Sequence, residues 1–359
     1  MEIIVLPYLP LREAVVIGGW RLIPAQRADA ETFINDDIRA QAQGLLRLYG
    51  AGHGARKAGA VAAPPGGRIG DDVPRDQMLT LRRAIVVGLL EGNPTPAALA
   101  GDDEDVDPNG GWKSATSDNA ALWGHPIDAS GYIAVEYGAM VTTLSGGHNV
   151  LHEDGVTIRP PAELPTPFMY GYFDGFYADA MFATLAGGDD DSRRLGRAID
   201  WLDLAWRNSP SVTPELRVVM LRTGFEVLFG DDSTFVVRDQ LCALLDPDDV
   251  GRVQRAWTTL AGKQQTAELS DLGWWFMQFA FLRNAIMHGE EVPETMFEHN
   301  GRPHVWLGES RLRQAIKARV AEAGYPTVLL NRRERERQDR INRMTQLIAE
   351  RLETDDRPE

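Results

Sequence analysis

Leu272-Gly273-Trp274-Trp275-Phe276-Met277-Gln278-Phe279-Ala280-Phe281-Leu282-Arg283-Asn284-Ala285-Ile286-Met287-His288-Gly289 is an apolar run that ends in a cation, an amide, a titratable ring and a glycine. The run predicts a helix from Thr266 to His288, and Gly289 supplies its left-handed stop. Asn284 and His288 are four residues apart, so they share one helical face. Arg283 points about 140° away from His288 in an ideal helix. Only its long side chain, or a distorted last turn, brings the guanidinium back. A histidine in a last helical turn faces the negative end of the macrodipole, a place suited to a proton donor.

Outward from this run, the pattern reads as helical from Phe173 to the C-terminus. Asp174 to Leu185 is expected to form a connecting helix stopped by Gly187-Gly188. Asp191 or Ser192 can cap the next helix, whose Leu195, Ala198, Ile199, Leu202 and Ala205 are spaced for one buried face. Thr213-Pro214 opens another with a capping hydroxyl and a proline at the first position. Helices are further expected over Thr234 to Leu245, Pro247 to Leu260, Ser310 to Ala323 and Arg332 to Leu352.

The N-terminal part has a different rhythm. Glu2 to Leu6, Glu13 to Ile17 and Trp20 to Pro24 read as short strands, with Gly18-Gly19 as a turn between the last two. Asp36 to Tyr49 reads as a helix, and residues 50 to 76, rich in Gly, Ala and Pro, as a long loop. Leu79 to Leu90 is too short and apolar for periodicity to choose between strand and helix. Tyr132 to Tyr137, Val141 to Leu144 and Val156 to Arg159 read as strands. The expected fold class is α+β in two domains. Residues 1–165 form a strand-rich mixed sensor or adaptor domain, and 166–190 a connecting helix and linker. Residues 191–359 form an all-α bundle with a C-terminal helical extension.

Composition bounds the function. A chain of 359 residues exceeds one ordinary core, which is the reason to expect two domains. Its 43% hydrophobic and 25% charged residues are those of a soluble globular protein. The single cysteine, Cys242, rules out an intramolecular disulfide framework and a cysteine-rich zinc site, and it fits a reducing cytoplasm. There is no apolar run of about 18 residues and no charged-then-apolar leader, so no membrane association is expected. A net charge of −15 opposes indiscriminate binding of a polyanion. Any contact with RNA must be local.

At Arg283, Asn284, His288 and Gly289 the chain resembles the HEPN superfamily, whose signature is Arg-x4-His with Asn after the Arg and Gly after the His. Upstream, Thr223-Gly224-Phe225-Glu226-Val227-Leu228-Phe229-Gly230 resembles the Thr-x2-Glu-x2-Phe/Leu-Gly pattern of its Apea-like branch. Gly224 stands where that branch commonly has Ala, a departure that weakens a helix by roughly 1 kcal/mol. The resemblance covers about residues 190 to 300. It implies a bundle of about five helices and a metal-independent endoribonuclease. Such an enzyme cleaves by attack of the 2′-hydroxyl and leaves a 2′,3′-cyclic phosphate. It further implies a homodimer in which two Arg/His pairs meet in one cleft, and a role in bacterial antiphage defence or a toxin system, with a regulatory partner or phage-derived trigger. The alternative it leaves open is a catalytically inactive HEPN dimerisation or nucleotide-binding module.

The chemistry suits the residues. Cleaving RNA in this way needs proton transfer at the 2′- and 5′-oxygens and positive charge on the phosphorane-like transition state. Histidine serves the first need and the arginine fork the second. Asn284 can orient the imidazole or donate to the phosphate. By the resemblance, Glu226 lies near Arg283, either as a structural ion pair or as the group that orients the arginine. A second candidate is the basic stretch carrying Arg332, Arg333, Arg335, Arg337 and Arg340, which could steer RNA. It reads more readily as a solvated helix face over an Ile341, Met344, Ile348, Leu352 stripe, itself a possible dimer surface.

No metal or cofactor is expected. Asp105-Val106-Asp107-Pro108-Asn109-Gly110 opens like a calcium loop, but Thr116 stands where such loops need a bidentate carboxylate, so it reads as an acidic surface loop. His148 and His152 lie among glycines and read as loop. The N-terminal domain offers no convincing catalytic constellation, although an enzyme there is a third reading.

Overall fold

The computed structural model describes residues 1–9, 11–48, 59–92, 120–127, 134–137, 140–143, 173–207, 211–248, 251–258 and 263–330, with 334–335, 337–338, 340–341 and 343–345. The N-terminal part is built on an antiparallel sheet. Its strands are β1 (Glu2–Leu6), β2 (Val15–Ile17), β3 (Trp20–Pro24), β4 (Ala60–Ala63) and β5 (Trp123–Pro126), in the order β2-β3-β4-β1-β5. β1 lies inside the sheet, with Val5 opposite Val61 on one side and Trp123 on the other.

Helices cover both faces, which is why β1 reads as a continuous apolar run instead of alternating. On one face Ile3, Val5, Val61 and Ala63 pack with Ile38, Ala42 and Leu45 of α1 (Asp36–Leu48). On the other, Ile4, Leu6, Trp20, Leu22, Ala60 and Ala62 join the main core. β4 corrects the expected loop over 50–76. Alanine is a weak strand former, so Ala60-Val61-Ala62-Ala63 gave no signal. Small side chains become useful only where both faces are covered. Trp123–Pro126 was likewise not foreseen. Leu79 to Leu90 proves helical, inside α2 (Arg75–Gly92). Strands expected at Tyr132 to Tyr137 and Val141 to Leu144 are present as β6 (Ala134–Tyr137) and β7 (Met140–Thr143), which pair antiparallel. The strand expected at Val156 to Arg159 lies outside the described residues.

The C-terminal part contains α3 (Gly175–Ala186), α4 (Asp190–Ala205), α5 (Pro214–Phe229), α6 (Thr234–Leu245), α7 (Asp271–His288) and α8 (His304–Glu322). One cap follows expectation: Thr213 Oγ1 accepts from Leu216 N at 3.3 Å ahead of Pro214. Asp174, expected as the first residue of its helix, caps it instead, its Oδ1 accepting from Tyr177 N at 3.0 Å. α4 starts earlier than expected, because Asp189 accepts the Ser192 N–H at 2.7 Å.

Two expectations are corrected here. The described residues between Pro247 and Leu260 form no helix, and α7 does not begin at Thr266. β8 (Val253–Thr258) and β9 (Gln264–Leu269) instead form an antiparallel hairpin. Gly251, at φ +78°, leads into β8 in a conformation that no helix uses. Alternate residues Arg255 and Trp257 face inward, with Arg255 lying over the Trp274 ring at 5.7 Å. Ser270 then caps α7 by accepting from Gly273 N at 3.2 Å. α8 begins at His304, ahead of the expected Ser310, and buries Leu312, Ala315, Ile316 and Val320 in the bundle.

The fold is mixed α+β, and one core passes from the sheet into the helices. α2 meets α3 at Gly88, where a Cβ would stand 2.8 Å from Phe173 Cε2 and 3.0 Å from Asp174 O. On α2, Arg82 pairs with Asp203 of α4 at 2.6 Å. Its neighbour Arg83 holds both oxygens of Asp200. Sheet and bundle therefore meet as packed layers. Gly224 has a packing reason too, since a Cβ there would stand 2.7 Å from Leu312 Cδ2. The helix-weakening residue lets α8 approach α5.

Candidate functional site

α7 is held by its aromatic side. Trp275, Phe276 and Phe279 are buried, and Phe225 of α5 contacts all three rings edge-on. This packing fixes the depth of α5 against α7 and brings Glu226 to Arg283. The end of α7 is a Schellman turn. Gly289, at φ +69°, donates to Ile286 O at 3.1 Å, and Glu290 N donates to Ala285 O at 3.0 Å.

At that end Arg283 turns towards Asn284 and Glu226. Its Nη1 donates to Asn284 Oδ1 at 3.1 Å, and its Nη2 stands 3.8 Å from Glu226 Oε1. Asn284 therefore orients the arginine and not the imidazole. Glu226 is flanked on its other side by Arg222, a residue that sequence reasoning passed over, with Nη1 3.1 Å from the same oxygen. Arg222 is only 2% exposed, lies over the Phe276 ring at 4.9 Å, and donates from Nη2 to Thr234 Oγ1 at 3.4 Å. Its one available signal was the spacing, since an arginine four residues before a glutamate on a helix is an ion-pair position. Burial pushes the Arg222 guanidinium down from its usual range, Glu226 counters this, and Arg283 adds to it.

His288 is exposed, as are Met287 before it and Glu290 and Glu291 after it. Among the described residues no hydrogen bond or ion pair joins His288 to Arg283 or Asn284. One chain thus presents an arginine held in place and, further along the same helix end, a solvent-facing imidazole.

The C-terminal basic stretch divides. Arg332 and Arg333 lie outside the described residues. Arg335 is a structural residue: its guanidinium pairs with the buried carboxylate of Asp174, which caps α3, and lies 5.1 Å over Phe176. Arg337 and Arg340 are exposed, as are Ile341 and Met344. The Asp105 to Thr116 loop, His148, His152, Ile348 and Leu352 lie outside the described residues. Among those described, no group of three or more His, Cys, Asp or Glu side chains is placed to hold a metal. No described helix is long and apolar enough to cross a membrane.

A cavity of about 690 Å³ opens elsewhere, lined by Asp191, Ser192, Arg194, Phe229, Arg319 and Tyr325 among others. Arg194 and Arg319 are each paired within their own helix, to Asp191 at 3.5 Å and Glu322 at 2.8 Å.

Near the start of α7 lies a second histidine cluster. His299 contacts Gln278 Oε1 at 2.5 Å and Asp271 Oδ1 at 3.2 Å. His304, 1% exposed, stacks on Phe279 at 5.9 Å. Burial, and secondarily His299, lowers the His304 pKa from 6.5 to about 4. The folded chain thus disfavours the cation. The resulting stability is complete above pH 6.5 and is lost as the pH falls towards 4. Comparing wild type with His304→Phe by urea unfolding, the difference is expected to move by about 3 kcal/mol in favour of the variant between pH 7 and pH 4. A pH-independent difference would show that His304 does not titrate this way.

Comparison with known proteins returned no match: no family model, no curated protein and no solved structure is similar to the chain.

Proposed function

We propose that the protein is a metal-independent endoribonuclease of HEPN type, acting as a homodimer on RNA bound locally at the end of α7. One observation carries the reading. Arg283 is held between Asn284 and Glu226 at the end of an apolar helix that leaves His288 open to solvent. Arg283 serves the phosphate and its transition-state charge. His288 moves the proton. Each chain supplies one imidazole at this site, so a separate acid and base come from two copies meeting across a two-fold axis. A role in antiphage defence or a toxin system belongs to the same reading, as does control by the N-terminal part.

The test is incubation of purified protein with tRNA and mRNA in the presence of a chelator. Products ending in 2′,3′-cyclic phosphate are expected, and His288→Ala should remove them. No cleavage, or cleavage that His288→Ala leaves unchanged, ends the reading.

A second reading is favoured by the surroundings of His288. Met287 is 57% exposed, and Glu290 and Glu291 beside it repel phosphate. That surface suits a dimerisation module that regulates a partner without cleaving anything. Expression in bacteria separates the two. Wild-type toxicity relieved by Arg283→Ala or His288→Ala favours the nuclease, and equal tolerance of all three favours the module.

A further inference from the structure

One carboxylate, Glu226, lies between two guanidinium groups that are not equivalent. Arg222 is nearer, at 3.1 Å, and 2% exposed, whereas Arg283 stands at 3.8 Å and is 28% exposed. The nearer contact is close but poorly aligned, since Arg222 Nη1 finds no acceptor of good geometry. It acts as charge facing charge more than as a directed hydrogen bond. The farther contact exceeds hydrogen-bond length. Asp232 also lies within Coulombic reach of Arg222, but at Glu226 itself two cations share one anion, and the one of them that faces solvent is Arg283.

We propose that Arg222 is a positioning residue that neutralises Glu226 and so keeps the charge of Arg283 available to a phosphate of RNA. The proposal rests on the nuclease reading above and adds to it the group that sets the charge of its arginine. Without Arg222, Glu226 has Arg283 as its remaining close cation. It would close on that guanidinium and cancel it. Arg222 touches neither substrate nor reacting atoms in this account. It acts through Glu226, anchored by the Phe276 ring and Thr234.

The test uses the full chain, a cleavable RNA and a 2′-O-methyl oligoribonucleotide that binds without being cut. Arg222→Met is expected to lower both kcat/KM and oligonucleotide affinity by about 10- to 100-fold, the value of a charge-assisted contact. It should also flatten the dependence of affinity on salt. Adding Glu226→Gln to Arg222→Met removes the carboxylate that would capture Arg283, and is expected to restore most of both. A purely structural Arg222 predicts no such rescue. If folded Arg222→Met matches wild type, or if the folded double variant binds as weakly as Arg222→Met, the proposal is overturned. Should Arg222→Met fail to fold, the double variant is compared with Glu226→Gln alone. Equal binding supports the proposal and weaker binding overturns it, because Arg222 should cease to matter once its partner is neutral. The uncut oligonucleotide also separates the two claims. Arg222-dependent binding without cleavage by wild type overturns the nuclease reading and leaves this one standing.

Discussion

His288→Ala is expected to lower RNA cleavage by about 10²- to 10⁴-fold, the contribution of a positioned proton-transfer group, while leaving the fold intact. The second half of that statement follows from the structure. The imidazole is exposed at the last position of α7, and the Schellman turn behind it is made by backbone groups of Ala285, Ile286, Gly289 and Glu290. Alanine is the better helix former, and an exposed substitution of this kind changes stability by about 0.5 kcal/mol or less. Initial rates on a labelled RNA, set beside a thermal melt of each protein, provide the check. Unchanged cleavage in a folded variant would place the chemistry elsewhere. A lost melt transition would mean that His288 is a structural residue.

Glu226→Ala is expected to act on the fold instead, lowering stability by about 3 kcal/mol. Removing one partner of a buried ion pair commonly costs about 3–5 kcal/mol, since it leaves the other charge buried and unmatched. The low end applies because the Glu226 side chain is 18% exposed, so water reaches part of the pair. The group left behind is Arg222, on the Phe276 ring with Thr234 as its other polar neighbour. Replacing both members, as in Arg222→Met/Glu226→Gln, should recover much of the loss, because apolar or neutral pairs of similar volume often do as well as buried ions. Denaturant unfolding of the three proteins at pH 7 measures this. Equal stability of Glu226→Ala and wild type would show that the carboxylate does not hold the two arginines, and the charge assignment at Arg283 would fall with it.

These predictions rest on pieces of unequal legibility. Two helix ends were readable because caps are local: Thr213 with Pro214, and Gly289, each satisfy or free backbone groups within a few residues of themselves. α6 was readable over its full span, Thr234–Leu245. The hairpin Val253–Leu269 was not, since its strands are short and mostly exposed and no apolar stripe marks them. Nor was Ala60–Ala63, whose role as an inner strand depends on helices supplied from distant parts of the chain. Periodicity left Leu79 to Leu90 undecided for a similar reason. From Ala84 to Leu90 this helix, packed against the sheet and α3, is buried at every position and shows no exposed face to set a period.

At the candidate site, spacing alone placed Asn284 with His288 and set Arg283 apart, and it offered Arg222 only as a partner four residues before Glu226, with no sign of its burial. The sequence by itself determined the elements whose signals are local: the helix opened by Thr213-Pro214, the helix stop at Gly289, the β2 to β3 turn at Gly18-Gly19, and an Arg, Asn and His gathered at one helix end. Tertiary structure decided what each residue faces. Phe225, packed into the aromatic side of α7, brings Glu226 to Arg283. Gly224 admits Leu312, and Arg335 is taken from the surface by Asp174. The physical reason is one of range. Caps and turns are settled by hydrogen bonds between near neighbours in the chain. The charge available at Arg283 depends on a carboxylate and a buried guanidinium that another helix carries.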